Sequence, residues 1–327
     1  MFWMLLLSCA MVAQSVGEAP DPGDKAAIEV EVPPGTSPRG LGPILADAGA
    51  VDDADQFTLY IRLTGEGGCL KAGRHRVSRS MDAQEMLKSL CGTPLADDMP
   101  FTVIEGWRIR EIDAALAKKG WALPGEYTRL AAQPKLFKVP FEHPSISLEG
   151  YLYPETYAID PEKFTVKNFI QRQLNTFTEK FWKAQTNEGQ ALGGRTLHQI
   201  VTMASMVVRE EPTEKQRPMV AGILWKRLDH PAWTLGVDAT SRYTLPKWND
   251  RKAFLKKLRD PNEPYNTRKR PGLPPTPIGN PDLSSLMAAL HPVQSQYWFY
   301  LHDSQKILRP SLNLAGHEAK RRKYNVY

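Results

Sequence analysis

The sequence predicts an α+β fold, with a small module of short strands and helices followed by a larger domain of helices and a modest sheet. Two observations carry this prediction. Short strand patterns are paired with short helical patterns before about residue 100, and longer helical patterns follow. The chain has 327 residues, which is enough for two or three domains. We expect the module at residues 24–100 and the larger domain at residues 101–327.

The first residues form an apolar segment, which predicts export. The run from Phe2 to Ala13 is shorter than the roughly 20 residues of a transmembrane helix. The core of a signal peptide fits better, although no charged residue precedes Glu18. Cys9 after Leu7-Ser8 is weakly similar to a lipoprotein cleavage site, but a cysteine inside the apolar core is the simpler interpretation. We expect residues 1–18 to be a signal peptide or a short membrane anchor.

Alternating residues predict the first strand of the module. Ile28, Val30 and Val32 alternate with glutamates, as in a half-buried strand, and the segment Pro33–Thr36 then predicts a turn. The same reasoning predicts four more elements: a strand at Phe57–Leu63, a helix at Asp82–Leu90, a strand with a glycine turn at 101–107, and a helix at Ile109–Leu116.

Removal of the leader leaves two cysteines, Cys69 and Cys91, in an oxidising compartment. A disulfide and two separately buried thiols both remain open, because the sequence does not show whether the Cα atoms lie within bridging distance. The lack of further cysteines excludes a cysteine-rich metal site, and the seven histidines show no His-x-x-x-His spacing. We therefore expect no metal and no organic cofactor.

The net charge of +6 is interpreted as spread through the chain rather than gathered in one arm. Nucleic acid is not an expected partner, since the sequence has neither a zinc-finger spacing nor a basic stripe interleaved with aromatic residues. The basic cluster at Lys320–Lys323 is interpreted as a solvated helix end.

The segment Leu197–Val208 predicts a helix that brings carboxylates to its end. Its apolar residues repeat at helical spacing, and the helix should end near Pro212, which disfavours helical backbone in the residue before it. Glu210 and Glu211 then lie beside the apolar stripe. A half-buried carboxyl has a raised pKa and can donate a proton to a leaving group. Periodicity does not separate the two glutamates, although it slightly favours Glu211 as the inward one, and a surface pair is the alternative.

The segment Leu148–Tyr157 contains three tyrosines and two carboxylates around a glycine and a proline. This composition suits a groove wall where tyrosine faces stack on sugar rings. The alternative is a tyrosine-rich strand edge packed on a helix.

The chain after the Glu210 helix is predicted to alternate between a helix and stiff loops. Thr213 and Gln216 match a capping box ahead of a second apolar helix face. The segment Leu235–Tyr243 predicts a polar loop, and seven prolines between Pro261 and Pro281 predict a stiff non-helical segment.

Five ordered blocks of the sequence resemble the YceG-like family of endolytic murein transglycosylases. The resemblance spans about residues 148–292, and the module before residue 100 is similar to the family's LysM-like subdomain. The blocks are Leu148–Tyr157, Met203–Glu210, Asp238-Ala239-Thr240, Tyr265-Asn266-Thr267 with Gly272-Leu273-Pro274-Pro275, and Ala288-Ala289-Leu290-His291-Pro292.

The resemblance distinguishes the two glutamates and implies a reaction. The family typically has Ala-Ser-Ile-Val-Glu-x-Glu, whose second glutamate corresponds to Glu210, whereas Val208 replaces the first. Glu210 is therefore the implied catalytic acid/base. The implied reaction is non-hydrolytic cleavage of the β-1,4 bond between N-acetylmuramic acid and N-acetylglucosamine inside nascent peptidoglycan strands. One carboxyl protonates the leaving oxygen and then accepts the proton of the muramic acid 6-hydroxyl, which closes a 1,6-anhydro ring.

The resemblance also implies partners, a location and substrate-binding residues. The substrate is the glycan strand of peptidoglycan, whose elongation would be terminated, and peptidoglycan synthases are candidate partners. The location is the bacterial cell envelope, at the periplasmic face of the inner membrane, with membrane contact through the N-terminal segment if it stays uncleaved. The motif positions expected to line the groove, orient Glu210 or stabilise charge on the sugar are Glu149, Tyr157, Asp238, Thr240, Tyr265, Asn266 and Thr267.

The chain also departs from the family pattern, and two other functions remain as alternatives. Ile307–Pro310 stands where the family often has a His-x-Phe block, and His317 is the histidine that remains there. A hydrolytic muramidase could use Asp238 or Glu149 as a second carboxylate and would release reducing ends. A degenerate member could bind glycan as a scaffold of cell-wall synthesis without turnover.

Overall fold

The computed structural model describes residues 17–95, 98–142, 144 and 146–326. Its contacts divide the chain into two compact units, residues 1–98 and residues 99–327. Both units combine helices with short strands, which confirms the mixed α+β class. The expected leader lies outside the described residues except for residues 17 and 18, so it stays a prediction. Within these described ranges, no helix is both long and apolar enough to span a membrane.

The first unit is built on a two-stranded antiparallel sheet with helices packed on it. Ile28 lies opposite Val77, and the side chains of Val30 and Val32 point into the core, as their alternation predicts. Cys69 and Cys91 form a disulfide, with their Cα atoms 5.1 Å apart. The elements are β1 (Ile28–Val32), α1 (Pro38–Asp47), α2 (Ala54–Thr64), β2 (Gly73–Val77) and α3 (Ala83–Leu90).

The predicted strand at Phe57–Leu63 is wrong, because this segment lies inside α2. The carboxylate of Asp53 caps the helix by accepting the backbone N–H groups of Asp55 and Gln56 at 2.8 and 3.1 Å. Phe57 and Ile61 are four residues apart and both reach the core, which is helical rather than alternating spacing. Aromatic and β-branched residues favoured a strand, but the cap and the packing decided the conformation.

The second unit packs helices around one core, with a small antiparallel sheet in which Phe101 lies opposite Tyr157. The predicted strand at 101–107 is confirmed in part, since the paired strand ends at Thr102. The elements are β3 (Met99–Thr102), α4 (Ile109–Lys119), α5 (Glu126–Ala131), β4 (Thr156–Ile159), α6 (Val166–Phe177, continued by a π-helical segment Thr178–Lys183 and a short turn Ala184–Thr186), α7 (Leu197–Glu210), α8 (Arg217–Asp229), α9 (Asp238–Tyr243), α10 (Arg251–Arg259), α11 (Leu283–Leu290) and α12 (Leu314–Lys323), with single 3-10 turns at Pro134–Leu136 and Glu214–Gln216.

Helix α7 is the central helix of the second unit, and it packs against α8 and α11. Thr196 and Gln199 form a capping box at its start. Every residue from Ile200 to Val207 is buried. The helix ends at Glu210, because Glu211 is extended ahead of Pro212, as predicted.

Two expectations after α7 are corrected. The side chain of Thr213 makes no capping hydrogen bond, and a 3-10 turn leads into α8 instead of a capping box. The segment expected to be a polar loop becomes helical at Asp238, where α9 begins. Thr240 stabilises this turn by donating its hydroxyl proton to the Val237 carbonyl at 2.7 Å.

Candidate active site

Glu210 is the last residue of α7, and the residue is half-buried. Tyr300 donates its hydroxyl proton to Oε2 of Glu210 at 2.9 Å. The backbone N–H of Ala239, in the first turn of α9, also donates to this carboxyl. The carboxyl is therefore held from two sides by elements that are distant from α7 in sequence.

The surroundings of Glu210 favour its protonated state. Burial raises the pKa of Glu210, and the negative charge of Asp238 acts in the same direction. The hydroxyl of Tyr300, the Ala239 N–H and the nearby His302 lower the pKa, but the net shift is upward. A raised pKa keeps the proton on the carboxyl at higher pH, which a general acid requires.

Tyr300 lies on a hairpin that Arg227 holds in place. Phe299 and Ser311 exchange backbone hydrogen bonds at 3.0 and 2.7 Å across this hairpin. Arg227 is buried in α8 and donates to the carbonyl of Trp298 at 2.8 Å and to that of Leu235 at 2.6 Å. One cation thus fixes both the hairpin segment that carries Tyr300 and the segment that leads into α9.

Glu211 is the inward glutamate, as its periodicity predicted, but it has different partners from Glu210. Its side chain is 0% exposed, and Oε2 lies 2.8 Å from Nε2 of His302. Oε1 accepts the backbone N–H of Thr213 at 2.7 Å. These contacts fix the chain where it leaves α7, so Glu211 is placed to support the helix end.

Asp238 and Arg268 form an ion pair beside Glu210, with 2.6 Å between Oδ1 and Nε. Both side chains are exposed to solvent, by 42% and 51%. Asp238 is the first residue of α9, the helix whose N–H group reaches Glu210. Its carboxylate is therefore near the candidate acid while being paired with a cation.

Thr240, Thr267 and Asn266 are enclosed in the protein. The hydroxyl groups of Thr240 and Thr267 lie 3.0 Å apart, and Thr267 Oγ1 accepts the backbone N–H of Val237 at 3.1 Å. The amide nitrogen of Asn266 donates to three carbonyls at the end of α10, those of Lys257, Leu258 and Asp260, at 3.0 to 3.1 Å. In this structure these side chains join α9 to α10 rather than face solvent.

Glu149 is 2% exposed and lies at the start of α4. Its carboxyl accepts the backbone N–H of Ile109 at 3.1 Å and the hydroxyl proton of Tyr243 at 3.0 Å. Burial raises its pKa to about 8, although these hydrogen bonds act in the opposite direction. The ring of Tyr243 packs against Tyr265 at a centroid distance of 4.9 Å. Because Tyr243 ends α9, Glu149 connects that helix to α4.

Tyr157 lies apart from these groups, in the core of the second unit. Its hydroxyl donates to the carbonyl of Tyr153 at 2.7 Å, and its ring packs edge-on against Phe169 at 5.2 Å. Tyr151 and Tyr153 are also buried. The tyrosines of Leu148–Tyr157 therefore form core rather than an open groove wall, which agrees with the alternative interpretation of this segment.

Sequence reasoning missed Tyr300, His302, Arg227 and Arg268. Tyr300 and His302 alternate with Leu301, and this period of two would have indicated a strand with a polar face. His302 lies directly opposite Leu308 on the hairpin, and Leu308 belongs to Ile307–Pro310, where the chain lacks the expected His-x-Phe block. Arg227 gave no such signal, because its partners are backbone carbonyls brought close by the fold.

No group of three or more histidine, cysteine, aspartate or glutamate side chains suited to holding a metal occurs in the part of the chain that the structure describes.

Comparisons with known proteins agree with the resemblance. An endolytic murein transglycosylase of Bacillus subtilis is 28% identical over 334 residues, covering 96% of this chain and 89% of that protein. An endolytic murein transglycosylase of Streptococcus pneumoniae is 25% identical over 315 residues, covering 86% of this chain and 55% of that longer protein.

A crystal structure of a YceG-like protein from Listeria monocytogenes has a similar fold, with a TM-score of 0.58 and 26% sequence identity. The match covers 90% of this chain and 99% of that one. The profile of the YceG-like family matches residues 30–323, which is most of the chain. This chain belongs to the YceG-like family.

Proposed function

We propose that this chain is an endolytic murein transglycosylase that uses Glu210 as its single acid/base. The observation that carries the proposal is the carboxyl of the half-buried residue Glu210, which Tyr300 and a backbone N–H group hold and whose pKa is raised. The names of the relatives from Bacillus subtilis and Streptococcus pneumoniae support the same activity. The family resemblance selects the same glutamate.

The reaction needs one proton to move twice. The carboxyl of Glu210 gives its proton to the oxygen that links muramic acid to the next N-acetylglucosamine, and the bond from that oxygen to the muramic acid C1 breaks. The resulting carboxylate then takes the proton of the muramic acid 6-hydroxyl, whose oxygen bonds to C1. The products are a 1,6-anhydromuramic end and a free 4-hydroxyl, no water is consumed, and Glu210 regains its proton.

The two other carboxyls considered for a hydrolytic reaction both have partners within the protein. Glu149 is enclosed and bonded to Ile109 and Tyr243, and Asp238 is paired with Arg268. A hydrolase needs a second carboxylate that activates water or attacks the sugar. The structure therefore supports the reaction with one carboxyl over that of a muramidase.

The enclosed motif residues act in this proposal by positioning rather than by touching sugar. Thr240 and Thr267 hold α9, whose Ala239 N–H reaches Glu210, and Glu149 holds the other end of the same helix through Tyr243. Tyr157 stabilises the core. Of the expected substrate-binding residues, Asp238 and Tyr265 are the ones that are not buried, and they are proposed to contact the glycan directly.

The first unit is proposed to be a LysM-like module that contacts glycan. Its order β1–α1–α2–β2, with two helices between paired strands, supports this assignment. We further propose that the chain acts in the cell envelope, at the periplasmic face of the inner membrane, where peptidoglycan synthases supply nascent strands. The apolar first residues support export, and the disulfide agrees with an oxidising compartment.

Product analysis with matched glutamine variants tests this proposal. The full chain, Glu210→Gln and Glu211→Gln would each be incubated with uncrosslinked peptidoglycan strands, and the fragments identified by mass spectrometry. We expect 1,6-anhydro ends from the wild type and from Glu211→Gln, and none from Glu210→Gln. Anhydro ends from Glu210→Gln would remove Glu210 from the reaction. A folded wild type that binds strands without products would favour the scaffold alternative.

A further inference from the structure

Positive charge is concentrated in one segment of the second unit. Residues 1–98 contain 8 lysines and arginines against 14 acidic residues, a net charge of −6. Residues 99–327 contain 34 lysines and arginines against 22 acidic residues, a net charge of +12. Half of that excess lies in residues 247–270, which contain 9 basic and 3 acidic residues. The even spread expected from the sequence therefore does not hold.

Helix α10 presents this charge on one exposed face. Phe254 is buried, and the exposed positions include Arg251, Lys252, Lys256 and Arg259. The helix contains no acidic residue, so Lys252 and Lys256, four residues apart, repel each other without compensation. Arg251 and Lys252 in the first turn oppose the helix dipole, whereas Lys256 and Arg259 in the last turn favour it. The concentration of like charge on one exposed face is typical of a surface that binds an anion.

The charges on this face are available to a partner. We call the exposed side chains of Arg251, Lys252, Lys256, Arg259, Lys269 and Arg270 the basic surface. Within the described residues, none of these six forms an ion pair, whereas their neighbours Lys257 and Arg268 are paired with Glu263 and Asp238.

The basic surface is tied to the active site by the enclosed motif residues. Asn266 binds the last carbonyls of α10, and Thr267 binds Thr240 and the N–H group of Val237 at the start of α9. Arg268 follows directly and pairs with Asp238 beside Glu210. Two adjacent residues thus hold the basic helix against the helix that contacts the candidate acid.

We propose that the basic surface binds the carboxylates of the peptides carried by the muramic acid residues of the substrate strand. This inference rests on the proposed function. The glycan backbone itself is uncharged, whereas each muramic acid carries a peptide with free carboxylates, so anionic groups recur at alternate sugars. Six cations on a segment that is joined to the helix contacting Glu210 match this pattern of charge. The substrate is then a strand that still bears its peptides, rather than bare glycan.

Binding measurements on an inactive full chain test the inference separately from turnover. Full-length Glu210→Gln would be titrated with uncrosslinked strands that bear peptides, and with strands stripped of peptides by an amidase. The test variant adds Lys252→Gln, Lys256→Gln and Arg270→Gln. A matched control adds Lys118→Gln, Arg129→Gln and Lys135→Gln, which remove equal charge from exposed positions around α4 and α5.

We expect the test variant to bind peptide-bearing strands roughly tenfold more weakly at low salt, with a smaller loss at high salt. Stripped strands should bind the Glu210→Gln parent, the test variant and the control alike. Equal weakening on both kinds of strand, or no weakening, overturns the inference. The inference is also overturned if the parent binds phosphatidylglycerol vesicles and the test variant does not, while both bind the strands equally well. If the wild type yields no anhydro ends, the proposed transglycosylase reaction fails. The inference about the basic surface is then still tested, because strand binding is measured separately on the inactive chain.

Discussion

At the scale of single residues, two adjacent glutamates have different environments because α7 ends between them. Glu210 stays helical and meets Tyr300 and the Ala239 N–H, while Glu211 is extended and turns to His302. The Glu210 carboxyl belongs to a half-buried residue and has a raised pKa, whereas the Glu211 side chain is enclosed. The step from helix to extended backbone therefore separates the proposed acid/base from a carboxyl that supports the helix end.

Tyr300→Phe should shift the pH dependence of the reaction. The Tyr300 hydroxyl stabilises ionised Glu210 and lowers its pKa, so its loss raises that pKa further. Since Glu210 must be protonated to act as an acid, the alkaline limb of kcat/KM should move to higher pH. We expect the rate at the optimum to fall on the order of tenfold, because the carboxyl loses a positioning contact.

Tyr297→Phe is the matched control, since Tyr297 precedes the same hairpin and has no contact with Glu210 among the described hydrogen bonds. Its pH profile should equal that of the wild type. An unmoved alkaline limb in Tyr300→Phe would show that the tyrosine is merely structural.

At the scale of elements, short helix α9 is the part that joins the site together. Its first turn contacts Glu210, and its last residue, Tyr243, bonds to Glu149 at the start of α4. Its middle is tied through Thr240 and Thr267 to the segment that ends α10. A displacement of α9 would move all of these contacts at once.

Glu149→Gln should change how stability depends on pH. Burial raises the pKa of Glu149 from 4.5 to about 8, so the folded chain holds a proton that the unfolded chain has released between these values. This contribution to stability is fully present below pH 4.5 and is lost as the pH rises to about 8. The difference between wild type and variant, on the order of a few kcal/mol, should appear in urea unfolding from pH 4 to about 9. Parallel stability curves would contradict the shift.

Asn266→Ala should destabilise the second unit. It leaves the carbonyls of Lys257, Leu258 and Asp260 without their side-chain donor, at a cost of about 1–3 kcal/mol in the free energy of unfolding. Asn262→Ala, at an exposed position four residues earlier, is the control and should change stability little. Equal stability of the two variants would contradict the capping role.

Local signals in the sequence predicted the elements that local physics decides. The alternation at Ile28–Val32, the break at Pro212 and the helix ahead of Cys91 were all confirmed. The strand predicted at Phe57–Leu63 was wrong, because the prediction gave residue type more weight than the helical spacing of Phe57 and Ile61. The contacts of α9 with Glu149 and with Thr267, and that of Tyr300 with Glu210, had no local signal, since they span 27 to 94 residues of sequence.

At the scale of the whole molecule, the chain is two compact units with opposite net charge. The first unit is acidic and has a disulfide, while the second is basic and contains Glu210. Each has its own hydrophobic core, so a change in one core should leave the other folded.

Replacing Cys69 and Cys91 with serine tests this independence. The disulfide closes a loop of 22 residues, so its loss should destabilise the first unit by about 3 kcal/mol. Amide hydrogen exchange should accelerate in β1 and β2 but not in α7. Equal acceleration in α7 would show that the two units unfold together.

Running the reaction in water enriched in oxygen-18 and determining the mass of the new strand ends tests the claim that this chain is a transglycosylase. Ring closure by the muramic acid 6-hydroxyl incorporates no water, so we predict unlabelled 1,6-anhydro ends from the wild type and no fragments from Glu210→Gln. One oxygen-18 in each new reducing end would contradict the claim, because it would show that water rather than the sugar's own hydroxyl attacks C1.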